Sequence, residues 1–188
     1  TSCSAQFMQD MGISSKHVPA AMALAQIAQA LATWFLFAPF LDHVGYKGTL
    51  AFGAACWVLL YSLYVSGRPS WLMVALQPFH GLAYVFFVIF GQNFVDTVSP
   101  VEIRSTMQAL IFTVTSGVGM FLGTQFAGIV MDANAEKGKF NWGKIFAVPA
   151  AITLVGVLAL FALFHDPVPA AQAPANPDAA VSARDIES

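Results

Sequence analysis

In a chain of 188 residues, 57% are hydrophobic and only 10% are charged. A water-facing domain carries about 25% charged residues; too few are present here to cover a soluble surface, so the solvent must be lipid. The net charge of −2 gives no footing for nucleic acid, and Cys3 and Cys56 match no metal or redox spacing.

Crossing about 30 Å of hydrocarbon as a helix takes about 20 apolar residues. Stretches free of Asp, Glu, Lys and Arg predict five such spans, at about 18–41, 48–67, 69–95, 105–131 and 145–164. The opening "TSCSAQFMQ" reads as the last turns of a sixth span, and it lacks the basic region and cleavage pattern of a signal peptide. The expectation is a chain that starts inside a longer protein.

The first span, 18–41, carries Gln26 and Gln29 three residues apart on one face, with its midpoint near Gln29. A short connection, 42–47, leads to the span at 48–67. After Arg68, the span at 69–95 places Gln77, His80 and Tyr84 at i, i+3, i+7, again on one face, with its midpoint near Leu82. The span at 105–131 repeats small residues every four positions, at Gly119, Gly123 and Ala127, a face suited to close helix packing. Residues 132–144 connect to the span at 145–164. Residues 166–188 are rich in Ala and Pro, polar and aperiodic, and are expected to be a disordered tail after a helical bundle at 1–165. Such short connections force antiparallel neighbours, so the fold class is an all-α integral membrane bundle.

Polar groups near the midplane are the informative ones. An ionisable side chain at that depth is functional by default, which singles out His80. Gln26 and Gln29 can pair with donors and acceptors of a small polar solute, and Tyr84 and Phe87 are of a type to stack on a flat ring. The alternative is hydrogen bonding between helices, worth about 0.6–2 kcal/mol per bond, with the aromatic residues serving as packing. No paired acids, no metal-ligand spacing and no Ser/His arrangement lie at matching depth. An enzyme is therefore not expected, nor a metal or cofactor.

Two connections carry recognisable patterns. "FLDHVGYK" (40–47) resembles the Asp-x-x-Gly-x-Lys/Arg loop of the major facilitator superfamily, and "VSPVEIRSTMQAL" (98–110) resembles its Pro-x-x-x-Arg loop. They occur in the order, and with the number of intervening spans, found in one six-helix half. "HGLAYVFFVIFGQNFVDTVSPVEIR" with "SGVGMFLGTQFAGIVMD" and "FNW" (140–142) is similar, more specifically, to the C-terminal half of the bacterial nucleoside:proton symporters.

The resemblance implies five full spans plus the end of a sixth, helices seven to twelve, with an N-terminal six-helix half supplying the other wall of the cavity. It implies a secondary transporter of nucleosides or similar small polar solutes, working by alternating access. The complete protein is expected to be a multi-pass monomer in the cell (inner) membrane, in contact with lipid. Asp42, Gly45 and Lys47, with Glu102 and Arg104, would form a cytoplasmic gating motif, and Gln26, Gln29, His80, Tyr84 and Phe87 the substrate site. The loop motifs put 42–47 and 96–104 in the cytoplasm, whereas the Lys/Arg distribution of this chain alone points the other way.

Two departures bear on coupling. The symporters show Gln-x-x-Glu and His-Gly-x-x-Tyr-Asp; here Gln29 stands for the Glu and Val85 for the Asp. That leaves His80, with an intrinsic pKa of about 6.5, as the proton-coupling candidate in this half. A facilitator, or a transporter-like sensor or scaffold that binds a solute without moving it, is the alternative.

Overall fold

The computed structural model describes residues 2–67, 69–136 and 139–165; the expected tail at 166–188 and Arg68 lie outside the described residues. Helix α1, Ser2–Asp10, ends before a turn in which Gly12 sits at φ 91°. Pro19 starts α2, Val18–Phe35, where a missing N–H costs nothing because first-turn donors have no helical partner. The third helix, α3, is Phe37–Val65.

The boundary between α2 and α3 is only a loosened turn. Leu36 N–H bonds to the Ala32 carbonyl at 2.9 Å and Phe40 N–H to Leu36 at 3.0 Å, so the ladder runs through. The reversal comes at Gly45, whose φ of 72° and ψ of −179° suit glycine and strain any other residue. Residues on either side fold back on one another: the Phe40 and Phe52 rings lie 5.2 Å apart, and Thr49 Oγ donates to the Gly45 carbonyl at 2.6 Å. Between 42 and 47, where a six-residue connection was expected, the helical run is broken at one glycine, with helical stretches at 18–44 and 46–65 on its two sides.

Gly67, at φ 59°, and Pro69 separate α3 from α4, Trp71–Val98. A π-helical turn, Tyr84–Ile89, interrupts α4 near its middle, and another, Thr113–Gly119, interrupts α5, Val101–Ala133. Widened i→i+5 turns of this kind concentrate at functional sites. The expected plain loop at 132–144 holds two short antiparallel strands, β1 (Ala135–Glu136) and β2 (Lys139–Phe140). Asn141 then caps α6, Trp142–Leu163, by accepting from Lys144 N–H. Pro149 inside α6 has no N–H to give the Ile145 carbonyl, and one turn on Thr153 Oγ donates to the Pro149 carbonyl at 2.7 Å. The five segments α2 to α6 are each long and apolar enough to cross a membrane.

Packing divides between the two ends of the bundle. At one end Phe7, Leu60, Tyr64, Met73, Leu76 and Phe146 form a cluster; at the other, Ala32, Leu50, Val85, Phe86 and Phe90. Trp142 Nε1 donates to Asp10 at 3.0 Å, joining α6 to α1 at the first end. Lipid supplies no hydrophobic drive between helices, so close backbone approach matters more than in water. Gly53 provides it between α3 and α4, where a Cβ would lie 2.7 Å from the Phe87 nitrogen. Gly81 provides it between α4 and α2, where a Cβ would overlap the Ala25 carbonyl oxygen and come 2.9 Å from the Gln29 nitrogen.

The small-residue face expected to pack behaves otherwise. A Cβ on Gly123 would meet nothing within 4 Å, and one on Gly119 would meet only Val114 of its own helix. Among the described residues α5 has none buried. Among the described residues Gly53 and Gly81 meet a neighbouring helix's backbone, whereas Gly123 and Ala127 line a wider gap shared with Ile145, Pro149 and Ile152 of α6.

Gly81→Ala should therefore destabilise the protein by roughly 1–3 kcal/mol through overpacking. Gly156→Ala, where a Cβ meets open space, should stay within about 0.5 kcal/mol of neutral. Thermal unfolding of both variants in detergent checks the contrast.

Candidate substrate site

The contact at Gly81 brings two polar residues together, because Gln26 follows Ala25 and His80 precedes Gly81. Both line a cavity of about 130 Å³ walled by α1, α2, α3 and α4. Ser4, Tyr61, Tyr64 and Gln77 complete its polar lining, and Met22, Ala25 and Leu60 its apolar part. No Asp, Glu, Lys or Arg lines it among the described residues.

Gln77 is 6% exposed, and its amide nitrogen donates to the Tyr64 hydroxyl at 2.8 Å and to the Met73 carbonyl at 3.2 Å. Trp57 backs His80, with rings 6.4 Å apart, and its indole N–H is buried without a hydrogen-bond partner.

Of the five residues expected in a substrate site, the cavity takes Gln26 and His80 and leaves the other three outside it. Gln29, one turn on, is half-buried against the α4 contact. Tyr84 begins the π-turn, a full turn from His80, about 5–6 Å along the helix, and is 39% exposed. Phe87, within the widened turn, packs edge-on to Trp57 at 5.5 Å. Tyr61 and Tyr64 were not anticipated. Their spacing from Trp57, at i+4 and i+7, was the available signal, and in sequence it reads as an ordinary packing stripe.

Val85, where the resemblance led us to expect an acid, is fully buried in the cluster with Leu50, Phe86 and Phe90 rather than facing the cavity. Five residues on from His80, it falls on another face of the helix.

At the Gly45 end, polar residues tie the helices together. The Tyr46 hydroxyl donates to Asn93 Oδ1 at 2.7 Å and lies 2.8 Å from Thr97 Oγ1, and Gln108 Nε2 donates to the Gln92 carbonyl at 2.9 Å. The ion pair there joins Arg104 to Asp96, at 3.9 Å, with both groups partly exposed. Asp42 and Glu102 are exposed, and Lys47 is half-buried. Sequence reasoning named Asp42, Gly45, Lys47, Glu102 and Arg104 at this end and missed Tyr46, Asn93 and Thr97. These follow the spacing of one face, with Asn93 and Thr97 at i, i+4.

The family model described as nucleoside H+ symporter matches residues 3–168. Nucleoside permease NupG of Escherichia coli (strain K12) is 28% identical over 154 residues, covering 79% of this chain and 36% of NupG. Xanthosine permease of the same organism is 30% identical over 135 residues, covering 68% of this chain and 32% of the permease. The crystal structure of nucleoside transporter NupG aligns with a TM-score of 0.70 at 26% identity, over 79% of this chain and 37% of that one. The chain thus spans about a third of the length of the relatives it matches. With five apolar crossings and a match over most of its length, the chain is a membrane protein of transporter rather than enzyme class, and it belongs to the nucleoside H+ symporter family, of major facilitator superfamily type.

Proposed function

We propose that the complete protein takes up nucleosides across the cell inner membrane by alternating access, and that this chain is its C-terminal six-helix half. The observation that carries this reading is the polar cavity shared by Gln26 and His80, in a chain that matches a nucleoside symporter family from residue 3 to 168. Sites of such transporters lie near the midplane, between repeats. An N-terminal half of six helices faces this one, in a monomer surrounded by lipid, and closes the far side of the site. The Gly45 end, with Asp42, Lys47, Glu102 and Arg104, faces the cytoplasm and works as the gate.

Gln26 and His80 bind the nucleoside's polar edge. Gln29, Tyr84 and Phe87 lie beyond the cavity in this state and reach the substrate when the two halves close over it. His80 carries the coupled proton, since among the described residues it is the one side chain of the cavity lining whose type, an imidazole, is suited to taking up and releasing a proton under physiological conditions. Facilitated diffusion is the second reading, favoured by a cavity lining without acids and by the apolar burial of Val85.

Uridine uptake by the full-length protein, with internal pH recorded at the same time, separates the two. Proton influx should accompany uptake and should vanish in His80→Gln while downhill uridine entry persists. Full proton influx in that variant removes histidine from the account, and none in the unmodified protein establishes the facilitator.

Asp42→Asn should slow turnover several-fold and leave uridine affinity unchanged, because a gating contact biases states rather than binding ligand. An affinity-only defect contradicts the gate. Val85→Asp should lower stability by about 2.5–3.5 kcal/mol, the cost of an acid in the middle of a span, read as a fall in Tm in detergent.

A further inference from the structure

Gln77 is a buried polar side chain of the cavity, and its amide has only one way to face. A primary amide offers two N–H donors and one carbonyl acceptor. The donors go to the Tyr64 hydroxyl at 2.8 Å and the Met73 carbonyl at 3.2 Å. A flipped amide would set Oε1 against the Met73 carbonyl, acceptor against acceptor. Tyr64 is itself held, its ring 5.1 Å from Phe7 and 5.0 Å from Phe146. Oε1 is left over, and no hydrogen bond reaches it from the described residues.

Two further polar groups of the lining, Gln26 and His80, are adaptable. Gln26 is exposed and makes no side-chain bond among the described residues that would prevent a flip, and His80 can exchange tautomers. Each can present a donor or an acceptor. Gln77 cannot.

We infer that Gln77 is a specificity-determining residue of this site: its Oε1, held as a fixed acceptor by Tyr64 and Met73, takes a hydrogen bond from a hydroxyl or ring N–H of the substrate. The inference rests on the nucleoside reading above and deepens it. A site built to accept from one particular donor rejects an analogue that lacks it, because the buried acceptor is then left unpaired. Tyr64 and Met73 are positioning groups, acting through Gln77. Ribose hydroxyls and the base N–H are the two places a nucleoside carries such a donor.

The test is equilibrium binding to the full-length protein in lipid nanodiscs. Uridine is compared with 2′-deoxy-, 3′-deoxy-, 5′-deoxy- and N3-methyluridine, against the unmodified protein, Gln77→Leu and Tyr64→Phe. The unmodified protein should bind one analogue about tenfold or more weaker than uridine, and which analogue it is identifies ribose or base as the donor. Gln77→Leu should weaken uridine by a similar factor and leave that analogue's affinity unchanged. Tyr64→Phe, which keeps Gln77 but frees one amide hydrogen, should narrow the ratio between the two ligands. A merely structural role would shift all five ligands together, and that result in Gln77→Leu overturns the inference. So does an unmodified protein that binds all five equally, a comparison that needs no variant to fold. Failure of the unmodified protein to bind uridine at all overturns the nucleoside reading, and Gln77's role with it.

Discussion

The site depends on one backbone contact, the approach of α4 to α2 at Gly81. No side chain larger than hydrogen fits between it and the Ala25 carbonyl. The neighbours of these two residues in sequence, Gln26 and His80, are brought to one cavity by that approach. In lipid, where apolar side chains gain nothing by leaving the solvent, such contacts hold helices in register through dispersion and weak polar attraction. Gly53 does the same for α3 against α4 and carries Trp57, Tyr61 and Tyr64 to the other wall. Two glycines on two helices thus set the geometry of a site to which neither contributes a functional group.

The cavity that results is polar but uncharged. At the depth of His80 a carboxylate would need a partner to offset its desolvation, and no cation lines the cavity among the described residues. Gln29 and Val85, standing where the resemblance led us to expect acids, agree with that environment: one is an amide beside a helix contact, the other is sealed in an apolar cluster. In the proposed reading this chain contributes hydrogen-bond recognition and one imidazole, and any further charge for coupling comes from the facing half.

Much of the architecture was legible in sequence because lipid imposes a blunt rule: no formal charge across about 20 residues. The five crossings follow from it, and the glycine in "DHVGYK" marked the reversal that Gly45 makes. What escaped was local. A π-turn leaves no mark in an apolar run such as "YVFFVI", and neither does the division of that run between Val85 in the core and Phe87 against Trp57. Tyr61 and Tyr64 sit in a stripe indistinguishable from packing until Gln77 is seen bonded to one of them. The regular Gly119, Gly123, Ala127 face carried a stronger pattern than the isolated Gly81, yet an added Cβ meets a neighbouring helix's backbone at Gly81 and not at Gly119 or Gly123. Spacing tells which side of a helix is smooth; it does not tell what lies opposite.

A structure of the complete protein with uridine bound tests most directly whether this helix contact builds the substrate site. The expected result is a nucleoside held between α2 and α4, within hydrogen-bonding distance of both Gln26 and His80, with Gly81 still seated on Ala25. Uridine bound elsewhere, with Gln26 and His80 hydrogen-bonded only to protein, would contradict it.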